Sequence, residues 1–506
     1  MKKFLTIVFT MLLIFACAIA LVACDFHKHN WSSSWDYDDT NHWYSCDGCT
    51  EQKDKAAHTF ASGKCSVCGK DEVATNTDIV YEVSEDGSYA ICSGLKEDST
   101  STEIVISSTY KGLAVSKIGN DFCSGNTTIK KVVIPDSVKS AGYYTFKDCT
   151  SLTEVELGKG LTYLSYGMFM GCTSLESINI PSNVELIYDY SFRDCTSLTN
   201  VNIAEGTEEI SEQAFANTTA LKSLKLPNSL VTIGEAAFMN SGLQNIVIPD
   251  NVTELGPENR TYPVFYQCKS LEEVTIGKGV KTIQEGTFAS LPKLKKVTLN
   301  EGLETIGNVA FNLCSQLTTI NFPESLKVIG ERAFYDTGLM EFTSTKNIEK
   351  IDADAFSNCK NLKKITLSAS SKPVVLGDNN GRSPFINDSG WPSSTDIGVE
   401  EIVIEEGFKC STENDIYGLF KGCKNLTKVT LASDFCPTDS MFRNCAQLTE
   451  IHFNGTKANW LLHTKDDNKW YDIENDKSIN ASWWNDGTGA YTIYCLNGET
   501  ATKGEK

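Results

Sequence analysis

Near the amino terminus, Cys46-Asp47-Gly48-Cys49 and Cys65-Ser66-Val67-Cys68 form two C-x-x-C knuckles with 15 residues between them. Each knuckle offers two sulfurs from one tight turn, and the spacing suits a single tetrahedral zinc. Gly48 and Gly69 supply the backbone freedom such turns need. His29-Asn30-Trp31 precedes one knuckle and His58-Thr59-Phe60 the other, so the stretch reads as two related half-units. With His42 between them, these histidines are further candidate ligands. Four thiolates leave no open coordination position, which makes such a zinc structural. The same four cysteines also suit two disulfides outside the cytoplasm, so zinc and disulfides stand as rival readings.

A second set of thiols recurs through the chain: Cys149, Cys172, Cys195, Cys268, Cys314, Cys359, Cys423 and Cys445 each follow a phenylalanine by three residues. A catalytic thiol would not recur in this way. Thr218, Ser241, Leu291 and Thr337 fill the same place in other repeats, which points to a small buried slot. Coils about 5 Å apart bring such residues within reach of one another, but parallel Cβ vectors disfavour bridging, so the ladder should be reduced. Cys410 and Cys436 fall outside the slot. No histidine lies between His58 and His452, so the repeats hold no His-based dyad or triad.

The elements that carry these residues begin with a targeting segment. Lys2 and Lys3 precede an apolar run from Phe4 to Ala20 that ends in small residues, the pattern of a secretory signal over 1–23. Leu21-Val22-Ala23-Cys24 resembles the bacterial lipobox. That resemblance implies cleavage before Cys24, its lipidation, and anchoring to the outer face of a bacterial cell membrane, where two acyl chains hold stably. Residues 24–75 then form the Cys/His module, similar to small modules of bacterial extracytoplasmic proteins and to a zinc ribbon.

The body is a repeat. Phe146, Phe169, Phe192, Phe215 and Phe238 are each 23 residues apart, and Phe265, Phe288, Phe311 and Phe334 keep the same interval. Phe122 opens the series, and Phe356, Phe385, Phe420 and Phe442 continue it less regularly. In one unit Leu175, Ile178 and Ile180 supply a short strand, Pro181 ends it, and Val184 and Ile187 lead to the next Phe192. Pro227, Pro249 and Pro323 mark that corner elsewhere, as do Gly158 and Gly277. No coil can bury its own apolar side chains, whereas stacking aligns them into inner columns.

These residues resemble the BspA-like leucine-rich repeat proteins of bacterial surfaces, which share the Phe-x-x-Cys-x-x-Leu and Ile-Pro elements. The expected fold is a β-rich leucine-rich repeat solenoid of about 14 coils of about 23 residues over 119–450, with caps at 76–118 and 451–506. The resemblance implies a non-catalytic, adhesive or partner-binding surface protein and carries no catalytic residues to transfer.

Composition narrows the partners. The chain has 506 residues, 45 Lys plus Arg against 65 Asp plus Glu, and a net charge of -20, which repels phosphate backbones and makes nucleic acid a poor partner. Extracellular proteins or glycans, host matrix among them, are the expected partners. The 64-residue interval from Phe356 to Phe420 exceeds two coils by 18, so an insertion at about 370–398 should leave the stack as a loop. Trp391 within it is a candidate aromatic anchor, or packs that loop against the solenoid. Trp460, Trp470, Trp483 and Trp484 suit packing of the carboxy-terminal cap or stacking on sugars. A spacer or assembly element of the envelope is the alternative function. A hydrolase finds no nucleophile–base pairing in the repeats.

Overall fold

The computed structural model describes residues 32–37, 41–45, 52–57, 60–61, 64–65, 67, 78–257, 261–386, 397–411, 418–434, 440–463, 470–472, 477–479, 488 and 490–503. Two compact units divide the chain, 1–76 and 77–506.

In the first unit, strand Asn41–Ser45 pairs antiparallel with Asp36–Tyr37 on one side and Gln52–Ala57 on the other. Trp35 stacks on Tyr44 at 4.1 Å and meets the His42 ring edge-on at 4.7 Å, which buries that imidazole. Phe60–Ala61 and Lys64–Cys65 form a separate hairpin.

The second unit is a β-solenoid of about 15 turns of about 23 residues, close to the number that phenylalanine spacing gives. Each typical coil makes two short strands. The first alternates outward and inward residues, as in Ser177–Ile180, where Ile178 and Ile180 are buried and Ser177 and Asn179 are exposed. The second is a dipeptide such as Leu186–Ile187, with only Ile187 fully buried. Both pair parallel with their counterparts one coil on, Ile178 opposite Val201 and Ile187 opposite Ile210. A third set of inter-coil hydrogen bonds runs beside the phenylalanines. The amides of Tyr144, Phe146 and Asp148 donate to the carbonyls of Tyr166, Met168 and Met170. The backbone is left-handed at Tyr144 and Asp148, and at the matching positions Gly167, Gly171, Tyr190 and Asp194, which turns those N–H groups toward the next coil.

The phenylalanines form one buried column. From Phe146 to Phe442 successive rings stack with centroids 5.2 to 5.8 Å apart. This column narrows the expected insertion at about 370–398, whose first part lies within the stack. Val375–Leu376 pairs with Lys350–Ile351, and Phe385 stacks between Phe356 and Phe420. Ile397 and Val399 are buried too. Spacing hid this because the surplus divides unequally, 29 residues before Phe385 and 35 after it. Trp391 lies in 387–396, outside the described residues.

Both ends switch to antiparallel pairing. Ile79–Val83 runs antiparallel to Ala90–Leu95, which pairs with Leu113–Ile118 to start the stack. At the other end Thr492–Tyr494 pairs parallel with Glu450–Phe453 and antiparallel with Thr500–Thr502. Helix Lys457–His463 packs Trp460 and His463 against Phe453. Closing strands of this kind cover the edges that a bare coil would expose.

Candidate interaction surface

The residues singled out for chemistry fall into two groups. Cys24, His29, Cys46, Cys49, His58, Cys68, Cys436, Trp483 and Trp484 lie outside the described residues, with Trp391. Cys65 ends strand Lys64–Cys65, and Ser45, just before Cys46, ends strand Asn41–Ser45. His42 is packed against Trp35, Trp460 is buried in the carboxy-terminal cap, and Trp470 opens the short strand Trp470–Asp472. Cys410 is half-buried and bridges Val374.

All eight recurrent cysteines are buried as free thiols. Their slot does more than the sequence suggested. The thiols of Cys172, Cys195, Cys314, Cys359 and Cys445 donate to the carbonyls of Phe146, Phe169, Phe288, Phe334 and Phe420, each one coil back, at 3.0 to 3.2 Å. Burial pushes the Cys268 and Cys359 thiols up to about 11 and Cys314 to about 12, so none is a ready thiolate. The ladder ties each coil to the one before it.

What the stack presents to solvent is its strand rows. On the longer strands and directly before them, lysines and carboxylates of adjacent coils pair: Lys131 with Glu154 at 2.9 Å, Lys295 with Glu272 at 2.7 Å, Lys363 with Glu400 at 2.6 Å and Lys364 with Glu401 at 3.1 Å. The hydrogen bond from Lys295 holds the Glu272 carboxyl below its usual range. This face is a nearly neutral lattice of exposed pairs, each worth little alone.

Among the described residues the row breaks in more than one place: Glu154–Glu156 and Ser177–Ile180 do not pair, and a further break exposes a cleft. Thr319–Ile320 pairs back to Lys296–Thr298, while Glu341–Thr343 pairs only forward to Lys364–Leu367. Two local causes are visible. Asn321 turns its amide onto the Leu299 backbone, accepting from its N–H at 2.8 Å and donating to its carbonyl at 2.6 Å. The coil from Phe334 to Phe356 is also one residue short, with Thr337-Gly338 where its predecessor has Cys314-Ser315-Gln316. The gap is a shallow cleft of about 510 Å³ lined by Thr318, Thr319, Leu339, Met340, Glu341 and Lys363, with Met340 57% exposed. Sequence reasoning missed it, although the 22-residue interval marks it.

Residues 116–244, 187–288, 231–363 and 400–460 match the BspA type leucine rich repeat region. The chain belongs to this family. As a BspA-type repeat protein it is similar to a leucine-rich repeat protein from Bacteroides ovatus, at 24% identity over 75% of this chain and 88% of the other, with a TM-score of 0.47. A leucine rich cell surface protein from Faecalibacterium prausnitzii is 21% identical over 76% and 96% of the two chains, with a TM-score of 0.38. The pneumococcal vaccine antigen PcpA is 21% identical over 82% and 97%, with a TM-score of 0.42. Among curated proteins none matches. Among the described residues no helix is long and apolar enough to cross a membrane.

Proposed function

We propose that this BspA-type protein is held at the bacterial surface by lipid on Cys24 and binds extracellular proteins or glycans through its solenoid, without catalysis. The observation that carries the reading is the rigid stack. A buried phenylalanine column and inter-coil thiol bonds fix rows of outward side chains at regular spacing. Such a surface gains affinity from many weak contacts made at once, with little ordering cost. The thiols that might suggest chemistry are buried, and burial pushes the Cys268, Cys314 and Cys359 thiols above their usual range.

The Cys/His module is read as a structural zinc site. The donor set fits: strand Asn41–Ser45 ends immediately before Cys46, and the hairpin ending at Cys65 leads into the second knuckle. Each C-x-x-C pair therefore begins at or directly after a strand end. Cys46, Cys49, Cys65 and Cys68 would hold the ion, which would supply a cross-link in a unit too small to build a large core.

The test uses cells that carry the full chain, exposed to arrays of matrix proteins and glycans. Saturable retention by these cells is expected, and cells with Cys24→Ala should shed both the protein and the retained ligand. Retention of the cell's own envelope components alone would make the solenoid a spacer, and retention unchanged by Cys24→Ala would remove the lipid anchor.

A further inference from the structure

Six of the 18 tyrosines fall between residues 143 and 190: Tyr143, Tyr144, Tyr163, Tyr166, Tyr188 and Tyr190. The solenoid gathers them on one surface across three successive coils. Tyr166 meets Tyr144 at 5.3 Å, Tyr190 at 5.1 Å and Tyr143 at 6.1 Å, in each case edge to face, and Tyr163 meets Tyr188 at 6.0 Å in the same way. Tyr143 is 62% exposed and Tyr188 42%. Local backbone builds the row. Tyr144 and Tyr190 occupy left-handed positions, and between them stands Gly167, where a Cβ would lie 2.6 Å from the Tyr144 ring. A side chain there would displace that ring.

Two of these rings already hold cations of the chain itself. Lys147 Nζ lies 5.0 Å from the Tyr144 centroid, and the Arg193 guanidinium 5.4 Å from that of Tyr190. The row therefore accepts ammonium and guanidinium groups in the way aromatic faces do. Tyr143 and Tyr188 offer the same kind of face to solvent.

The surroundings have the matching charge. Residues 160–221 carry eight carboxylates and one basic side chain, Arg193. On the longer strands carboxylates meet lysines of adjacent coils, but here, among the described residues, Glu185, Asp189, Glu208, Glu209 and Glu212 enter no ion pair. Glu212 accepts from the Tyr190 hydroxyl at 2.8 Å instead. Burial, with Glu212 and Glu209 nearby, raises the Asp189 carboxyl above its usual range. An unneutralised field beside aromatic faces is the complement of a basic peptide, and it repels anionic glycans and phosphates.

We propose that the tyrosine surface around Tyr143, Tyr166 and Tyr188 docks a Lys/Arg-rich segment of an extracellular protein, seating its cations on exposed rings as Lys147 and Arg193 already sit. This deepens the binding-scaffold reading and rests on it.

The test measures the anisotropy of a labelled Lys/Arg-rich peptide titrated with the full chain, beside a Glu-for-Lys/Arg peptide and a neutral labelled oligosaccharide. The basic peptide alone should bind, and Tyr143→Ser with Tyr188→Ser should weaken it about tenfold. Val247→Ser, at an exposed position of the longer strand Asn245–Val247, should leave it unchanged, so that loss in the double variant is specific to the tyrosine patch. Equal affinity for wild type and the double tyrosine variant overturns the proposal. So does oligosaccharide binding that the double variant loses, since the surface would then read sugars. Circular dichroism of the double variant shows that the stack is kept. Array ligands retained by cells carrying the double variant would leave the binding scaffold standing and remove this surface from it. Absence of any array ligand would instead count against the scaffold.

Discussion

Cys195 sits fully buried with its sulfur 3.1 Å from the Phe169 carbonyl, which also accepts the Cys172 amide. Its side chain thus fills a small apolar space and supplies a donor that crosses from one coil to the last. Thr218 and Thr337, at the same place, donate instead to the phenylalanine carbonyl of their own coil, at 2.8 and 3.0 Å. The hydroxyl keeps the slot polar-satisfied, and at Thr218 it gives up the tie to the previous coil, whereas the Thr337 hydroxyl also meets Cys359 Sγ of the next coil at 3.2 Å. Replacing Cys195 with Ala removes the donor and leaves a void, and should cost roughly 1–2 kcal/mol. Cys195→Ser keeps a donor in the slot and should cost less. Urea denaturation of the two variants checks the order, and equal losses would mean that the slot is merely apolar.

At the scale of the element, the sequence marks corners without giving their cause. Proline and glycine both occur at the end of the longer strand, as Pro249 and Gly277 do in successive coils, and both read as turn residues. In the structure the Gly277 backbone comes so close to the previous coil that an added Cβ would lie 2.2 Å from the Pro249 carbonyl oxygen. Gly158 stands in the same relation to Pro135, at 2.5 Å. That requirement depends on the distance between coils, which no single repeat encodes. Gly277→Ala should therefore destabilise by roughly 1–3 kcal/mol through backbone displacement, although Ala fills little space. Phe169→Ala, which empties a place in the central column, should cost roughly 3–5 kcal/mol. Thermal unfolding of the two variants tests both. The same limit explains what else was legible. Phenylalanine spacing revealed the column and the inward face of each strand, because side-chain period and coil length are properties of the sequence. The opening at Met340, the thiol bonds and the pairing of Val375–Leu376 depend on which backbone groups meet across coils, whereas Phe385 already stood in the phenylalanine series. The tyrosine row went unread in the sequence, and only stacking shows that Tyr144, Tyr166 and Tyr190 touch.

For the whole solenoid, the repeating unit is a coil whose contacts are mostly with its two neighbours. A deletion of one full period should then be absorbed, since the new neighbours offer the same ladder partners and the same column. Removing residues 289–311 places Phe334 23 residues after Phe288 and Cys314 three residues after Phe288, which restores the motif at the junction. The shortened chain should unfold cooperatively with a slightly smaller denaturant dependence, because less surface is exposed on unfolding. Removing only 289–300 shifts Phe311 out of column and should abolish cooperative unfolding. Deletion of 388–396 is a third case, because it lies between Phe385 and Ile397, both buried in the stack. It should leave the melting temperature nearly unchanged, since neither neighbour loses a column partner. Calorimetry of the three deletions distinguishes them. If the full-period deletion melted as poorly as the half-period one, stability would reside in particular coils and caps, and the nearest-neighbour account of the stack would fail.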